Sequence, residues 1–349
     1  MNKHYLIILI FCFYNAYTFA GNPDRQGEAG AYELLMNPWA RSAGLHSMNT
    51  SLIKGVESMR LNVAGLSRIN KTEIVIGNTR YFEGTGIKLN SFGFVQKIGK
   101  NGSIGISVMA VDFGEIPVTT TDAPDGTGAT FSPNFFHLGI GYAHTFENKI
   151  SVGILLRAIS ESTADLSAGG FAIDAGVQYV TGEEDNFKFG ISLRNIGSPM
   201  QYKGEGLTEQ LPNPSDEISY PLTYFVRATK FELPSVLNIG GSYDFILNPK
   251  NKLTILGNFT SNSFSQDQIG AGIVYSFNDM FMLRAAYKYE IASGANSGEQ
   301  APIYTGISGG LSFEVPLKKE TKRKFGIDYS YRQTKIWNGT HNISIRLSL

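Results

Sequence analysis

Beyond the N-terminal stretch, two groups of side chains could carry chemistry. One is the histidines His46, His137, His144 and His341. The other is a set of charges lying inside alternating segments: Arg157, Asp174, Lys188, Arg194, Asp244, Arg284, Lys288, Glu290, Glu314, Asp328, Arg332 and Arg346. His137 and His144 share one segment, but a separation of seven puts them on opposite faces of an extended strand. None of the four histidines has metal-ligand spacing. A Ser-His-Asp site can be assembled from separate strands, and sequence spacing does not test that arrangement. Gly139 and Gly141 form a GxG inside a strand-like run with no helix after it, which is not a phosphate loop. The expectation is a protein without enzyme activity, cofactor or metal. Its charges would fill an interior with salt bridges of mixed sign.

The elements that must position these charges are visible in one hairpin, Phe135 to Ile159. Phe136, Leu138, Ile140, Tyr142 and Phe146 alternate with His137, Gly139, Gly141, Ala143 and Thr145. Ile150, Val152, Ile154 and Leu156 then alternate with Ser151, Gly153, Leu155 and Arg157, after a turn of only Glu147-Asn148-Lys149. A period of two gives each arm one greasy and one small or polar face. Each arm reaches the roughly 9–11 residues that a tilted strand needs to cross a bilayer, whereas soluble strands commonly stop at about 5–6.

The composition agrees. Charged residues make up 17 %, with 39 Gly, 23 Phe and 17 Tyr, and the formal net charge is zero, so nothing points to nucleic acid. Lys3 and His4, the apolar run Tyr5 to Tyr14 and the small residues Thr18 and Ala20 form a secretory signal, with cleavage expected after Ala20 (residues 1–20). The one cysteine, Cys12, falls inside it, leaving no thiol or disulfide in the mature chain. Residues 21–70 lack strand periodicity. Leu34, Leu35, Trp39, Leu45, Met48, Leu52, Val56, Met59 and Leu61 make the segment too apolar for a free tail, and it is expected to fold into a barrel mouth as a plug.

From residue 71 to 349 fourteen strands are expected: 72–81, 86–98, 102–113, 134–146, 149–160, 168–180, 186–197, 233–246, 251–261, 267–277, 280–290, 305–316, 322–333 and 339–348. The first two of these alternate less clearly, with Phe92 and Phe94 on the presumed inner face. Alternate links are short and rich in Gly, Asn, Asp and Pro; the basic link Lys318–Lys324 is the longest on that side. The opposite links include the long ones, 114–133, 198–232 and 291–304. An even strand number with short turns on one side and long loops on the other is the layout of an all-β, antiparallel transmembrane barrel in the outer membrane. A soluble sandwich or propeller would have shorter strands and no such asymmetry.

The longest loop carries Pro199, Pro212, Pro214 and Pro221 among the apolar residues Met200, Tyr202, Leu207, Leu211, Tyr220, Leu222, Tyr224 and Phe225. Exposed apolar clusters mark contact surfaces, which makes Met200, Tyr202, Leu207, Leu211, Tyr220, Tyr224 and Phe225 candidate partner-binding residues. The alternative is that the loop folds over the barrel mouth against 114–133.

Several short motifs resemble the PorV/PorQ family, outer-membrane barrels related to the FadL-type fatty-acid transporters and associated with type IX protein secretion. They are Ala40-Arg41-Ser42-Ala43-Gly44-Leu45, Leu193-Arg194-Asn195-Ile196-Gly197, Leu233-Pro234-Ser235, Gly326 to Tyr331 and Gly339-Thr340-His341. Asn62-Val63-Ala64-Gly65-Leu66 is similar to the family's Asn-Pro-Ala-Gly-Leu plug motif, with Val63 in place of proline. The resemblance implies a barrel that binds secreted cargo or subunits of the secretion or attachment machinery. The FadL relationship implies an alternative, a transporter of hydrophobic small molecules. Such a transporter would need an apolar pocket, for which Phe92, Phe94 and Leu155 are the sequence hints.

Overall fold

The computed structural model describes residues 25, 27–213, 220–291, 303–317 and 323–349. The signal-peptide reading with Cys12, the loop residues 214–219, residues 292–302 and the basic link 318–322 lie outside the described residues.

The described strands are β1 (Thr72–Arg80), β2 (Lys88–Ile98), β3 (Gly102–Asp112), β4 (Ile116–Pro117), β5 (Thr130–Phe131), β6 (Asn134–Phe146), β7 (Ile150–Thr163), β8 (Leu166–Thr181) and β9 (Phe187–Gly197). They continue with β10 (Thr208–Pro212), β11 (Pro221–Phe225), β12 (Val236–Asn248), β13 (Asn251–Asn262), β14 (Gln268–Phe277), β15 (Phe281–Glu290), β16 (Tyr304–Pro316), β17 (Lys324–Thr334) and β18 (Thr340–Ser348). β4 pairs with β5, and β10 with β11, as small hairpins within two of the long loops, 114–133 and 198–232. The other fourteen strands form one closed antiparallel barrel, sealed where β1 pairs with β18 from Glu73–Ser348 to Arg80–His341. Closure leaves no sheet edge, which is what backbone polar groups require in hydrocarbon.

Turn chemistry fixes the registers on the short side. Glu147 and Asn148 (φ 47° and 59°), like Asn278 and Asp279 (φ 54° and 50°), place two consecutive residues in the left-handed region. That is the signature of the type I′ turn, whose twist suits a hairpin. β7 and β8 extend further than the alternation indicated, to a two-residue connection at Ala164-Asp165 on the long-loop side.

The outer surface is the greasy face: Ile76, Ile140, Ile154, Ile173, Ile273 and Ile345 are all solvent-facing in the isolated chain. Phe146, Phe187, Phe245, Phe277, Phe281 and Phe313 form an aromatic belt near the short turns. Phe92 is outward too, and Phe94 shares its phase on β2, which corrects the expectation of an inner position for both. The inner phase of β2 is instead Leu89, Ser91, Gly93 and Val95. A lysine at Ile154, which is 55 % exposed in this girdle, should cost about 2–4 kcal/mol near the midplane. We expect Ile154→Lys to lose most of its heat-modifiable, membrane-assembled form while Ile154→Ala keeps it. Equal assembly of the two variants would contradict the outward assignment.

Candidate functional site

The N-terminal segment lies against the inward faces of the barrel strands. It contains short helical turns at Tyr32–Leu35, Ala40–Ala43, Gly55–Arg60 and Val63–Ser67. Trp39, Val56, Met59, Val63, Leu66 and Ile69 form one buried cluster with Val75, Val95, Ala143 and Leu155. Leu45 and Met48 form another with Leu256 and Ala286. Glycines on the inner phase of the strands make the approach possible. A Cβ on Gly153 would meet the Val63 carbonyl, and one on Gly190 would meet the backbone of Thr50 and Ser51. These strand glycines are the bed on which residues 39–67 rest.

Asn62 accounts for the local chain path. Its Oδ1 accepts from Ala64 N at 3.2 Å and caps the turn Val63–Ser67, while its Nδ2 donates to Thr50 O at 3.0 Å and Val177 O at 3.1 Å. Val63 takes the first position of that turn, where proline is also favoured, so the substitution leaves the turn intact. Gly65 is required because a Cβ there would run into Ile53 O.

The interior charges are paired much as the mixed signs indicated. Arg157 Nη2 donates to Asp174 Oδ2 at 2.6 Å, Lys188 Nζ to Asp244 Oδ2 at 2.5 Å, and Arg346 Nη2 to Glu314 Oε1 at 2.7 Å and Asp328 Oδ1 at 3.3 Å. Arg284 Nη1 donates to Ser312 Oγ at 2.6 Å, and the Ser312 hydroxyl donates to Asp328. Several bases hold the N-terminal segment directly. Arg157 Nη2 also reaches Met59 O at 3.1 Å, and Arg194 reaches Arg60 O at 2.7 Å and Leu34 O at 3.3 Å. Within the segment, Arg41 Nε bonds Glu57 Oε1 at 2.7 Å.

Arg60, Glu33 and Glu161 complete a second buried cluster that sequence reading missed. Arg60 donates to Met36 O at 2.6 Å and to Glu33 O, and its Nη1 lies 3.4 Å from His137 Nδ1. Burial, with the charge of Glu161 adding to it, pushes the Glu33 carboxyl up to about 8. Its Oε1 lies 3.0 Å from His137 Nε2, within hydrogen-bond distance. Glu161 continues the inward phase of Arg157 and Ile159 and was legible in principle. Glu33 and Arg60 sit in aperiodic chain, where no phase exists to reveal them. Among the described residues no group of three His, Cys, Asp or Glu is arranged to hold a metal ion. His137 is buried and His144 lies on the opposite phase of β6, as their spacing required.

The long loop divides the candidate contact residues. Met200 is 1 % exposed and packs with Ala31, Leu34, Ile159, Ala168, Ala172 and Leu233. The Tyr202 hydroxyl donates to Glu161, and its ring packs on Phe231. Both therefore anchor the loop base and are not free for a partner, a correction that follows from backbone pairing of Met200 with Phe231 and Lys203 with Ser167. Leu207 is half-buried, whereas Leu211, Tyr220, Tyr224 and Phe225 are exposed on or beside the β10–β11 hairpin. The described anchoring bonds run to Gly30, Ser167 and Glu161 rather than to 114–133.

A closed fourteen-stranded barrel with an apolar girdle and an asymmetric set of loops defines an outer-membrane protein of the FadL-like architecture. The chain is similar in fold to the CymD monoaromatic hydrocarbon channel (14 % identity, 90 % of this chain and 97 % of that chain, TM-score 0.56). It is likewise similar to the Pseudomonas putida toluene transporter TodX (13 %, 89 % and 97 %, TM-score 0.55) and to a Pseudomonas aeruginosa FadL homologue (11 %, 88 % and 98 %, TM-score 0.52). No curated protein sequence matches. Residues 81–347 match the family of type IX secretion system membrane proteins PorP/SprF. The chain belongs to that family. The PorV/PorQ resemblance thus holds at the coarser level of a type IX secretion barrel.

Proposed function

We propose that this protein is a non-enzymatic interaction barrel of type IX secretion, binding secreted cargo or subunits of the translocon or attachment complex through its long loops. The observation that carries this reading is the β10–β11 hairpin: Leu211, Tyr224, Phe225 and Val226 are exposed at 41, 39, 62 and 48 %, on a loop whose base is anchored by buried Met200. Exposed aromatic and aliphatic side chains on a well-anchored support are what a protein contact needs. In this reading residues 21–70 act as a plug, with Asn62, Val63, Ala64 and Gly65 fixing the turn that seats it. The PorV/PorQ attribution draws only on short motifs. Those at Ala40–Leu45 and Asn62–Leu66 lie outside the span matched by PorP/SprF.

Transport of a hydrophobic small molecule has less support. Phe92 and Phe94 point to lipid, and Leu155 is consumed in packing against Val63 and Leu66. The two large cavities, about 540 and 500 Å³, are lined by charges as well as apolar groups.

A photo-activatable residue at Leu211 or Phe225 should give covalent adducts that mass spectrometry identifies as type IX components or cargo. The same residue at Asn148, in a short turn, and at Ile154, facing lipid, serves as control. Adducts of equal yield at Asn148, or none beyond lipid at Phe225, would contradict the loop assignment.

A further inference from the structure

The apolar band on the outside of the barrel is interrupted at its seam. The outward side chains of β1 and β2 stand opposite one another as Thr72–Gln96, Ile74–Phe94, Ile76–Phe92, Asn78–Asn90 and Arg80–Lys88. Two of these rungs are apolar, whereas β7 presents Ile150, Val152, Ile154, Leu156 and Ala158 in unbroken succession. Thr72 and Asn78 are six residues apart, which is about 20 Å along a strand and about 15 Å in height at a tilt of about 35–45°. The apolar band of such a barrel is about 25 Å tall, so the two polar rungs cannot both clear the hydrocarbon.

The lower rung is largely satisfied: Thr72 Oγ1 donates to Gln96 Oε1 at 2.7 Å, and Gln96 Nε2 donates to Lys97 O at 3.2 Å. The upper rung is not. Asn78 Nδ2 donates to Asn90 Oδ1 at 2.8 Å, and among the described residues these two exposed amides make no other hydrogen bond. The Asn78 carbonyl oxygen and the Asn90 N–H groups are left to whatever covers this face, and lipid tails offer them nothing. Beside the amides lies a shallow depression of about 360 Å³ lined chiefly by Ile76, Phe92, Val108, Ala110, Ile343 and Ile345.

A side-chain amide both donates and accepts, so the pair is complementary to a second copy of itself. Above it the rim carries both signs: Arg80 reaches Glu83 at 3.5 Å, and Lys88 stands opposite Asp112 in the β2–β3 register. Two copies therefore meet here without net like charge. A two-fold contact about an axis along the membrane normal also keeps both barrels in the same orientation. The partner loop is out of the way. β12 is seven places from β1 in the fourteen-strand order, so the loop between β9 and β12 rises from the opposite wall.

We propose that the outer face of β1 and β2 is a dimerisation surface within the membrane, on which a second copy of this chain covers the Asn78–Asn90 rung and the depression beside it. The dimer would carry its two β10–β11 hairpins at its far ends.

The test is disulfide cross-linking in outer membranes, with sedimentation of the detergent-purified protein as a second readout. Cys12, the one native cysteine, falls in the expected signal, so a single introduced cysteine reports one position. Asn90→Cys should form a covalent homodimer, and Ile255→Cys, outward on β13 across the barrel, should not. The wild type should sediment as a dimer. Asn78→Leu with Asn90→Leu should weaken dimerisation roughly ten-fold or more, the loss of at least two hydrogen bonds within the membrane. The leucines extend the apolar band, so the variant should still assemble as a heat-modifiable barrel. Should it fail to assemble, Ala110→Trp fills the depression, leaves the amides in place and should also weaken the dimer. The proposal is overturned by a monomeric wild type, by an Asn90→Cys homodimer no more abundant than that of Ile255→Cys, by Asn90→Cys cross-links that run to a different protein, or by unchanged dimerisation in the assembled variants.

Discussion

Replacing Arg157 with methionine should destabilise the barrel by about 3–5 kcal/mol, the cost of removing one member of a buried ion pair. Arg157 and Asp174 are 4 % and 3 % exposed, and the 2.6 Å bond between them is backed by the Arg157 bond to Met59 O. Asp174 is committed to its position because its Oδ1 accepts from Asn195 N at 2.7 Å, where the β8–β9 register shifts and Asn195 adopts φ 59°. Arg157→Met therefore strands a carboxylate at a bulge and frees the chain at Met59. We expect a lower urea midpoint and protease cleavage within 55–67 under conditions where the wild type resists. Adding Asp174→Asn removes the stranded charge and should recover roughly half of the loss, a coupling expected only of residues in contact. Simple additivity of the two substitutions would mean that the pair is not coupled.

The strands were legible because a membrane barrel writes its structure at period two over long segments. The expected ranges 134–146 and 102–113 correspond to β6 (Asn134–Phe146) and β3 (Gly102–Asp112), and the Asn-Asp turn residues marked the short side. Phe92 and Phe94 misled because the preceding strand β1 alternates weakly, with Asn78 and Arg80 on the same outward phase as Ile76. The N-terminal segment was legible only as apolar and aperiodic. Which strand glycine would receive Val63 or Thr50, and which arginines would cap its carbonyls, depends on contacts between residues about 90 to 140 positions apart, for which a single sequence holds no register. Met200 and Tyr202 looked like surface candidates for the same reason. A loop base and a loop tip have similar composition, and only the pairing of Met200 with Phe231 tells them apart.

The second large effect concerns the hairpin itself. Val226 N donates to Leu207 O at 2.8 Å, so residues 207 and 226 already stand side by side. Replacing 208–225 with a short Gly-Ser turn should therefore leave the loop base, with Met200, Tyr202 and Phe231, in place. It removes Leu211, Tyr220, Tyr224 and Phe225 together, the exposed apolar side chains that would supply most of the contact energy in a small interface. Loss of several such anchors at once is expected to lower partner affinity by two or more orders of magnitude, on the order of 3 kcal/mol or greater.

The decisive measurement is type IX cargo release and surface attachment in cells carrying this hairpin replacement, scored beside gel mobility of the unheated barrel. The interaction account predicts a folded, heat-modifiable barrel in the outer membrane, loss of co-purifying secretion partners and failure of cargo release or attachment, with hydrophobic-compound uptake unchanged. Normal secretion from the folded variant, accompanied by a fall in hydrophobe uptake, would contradict it and give the protein a transport role.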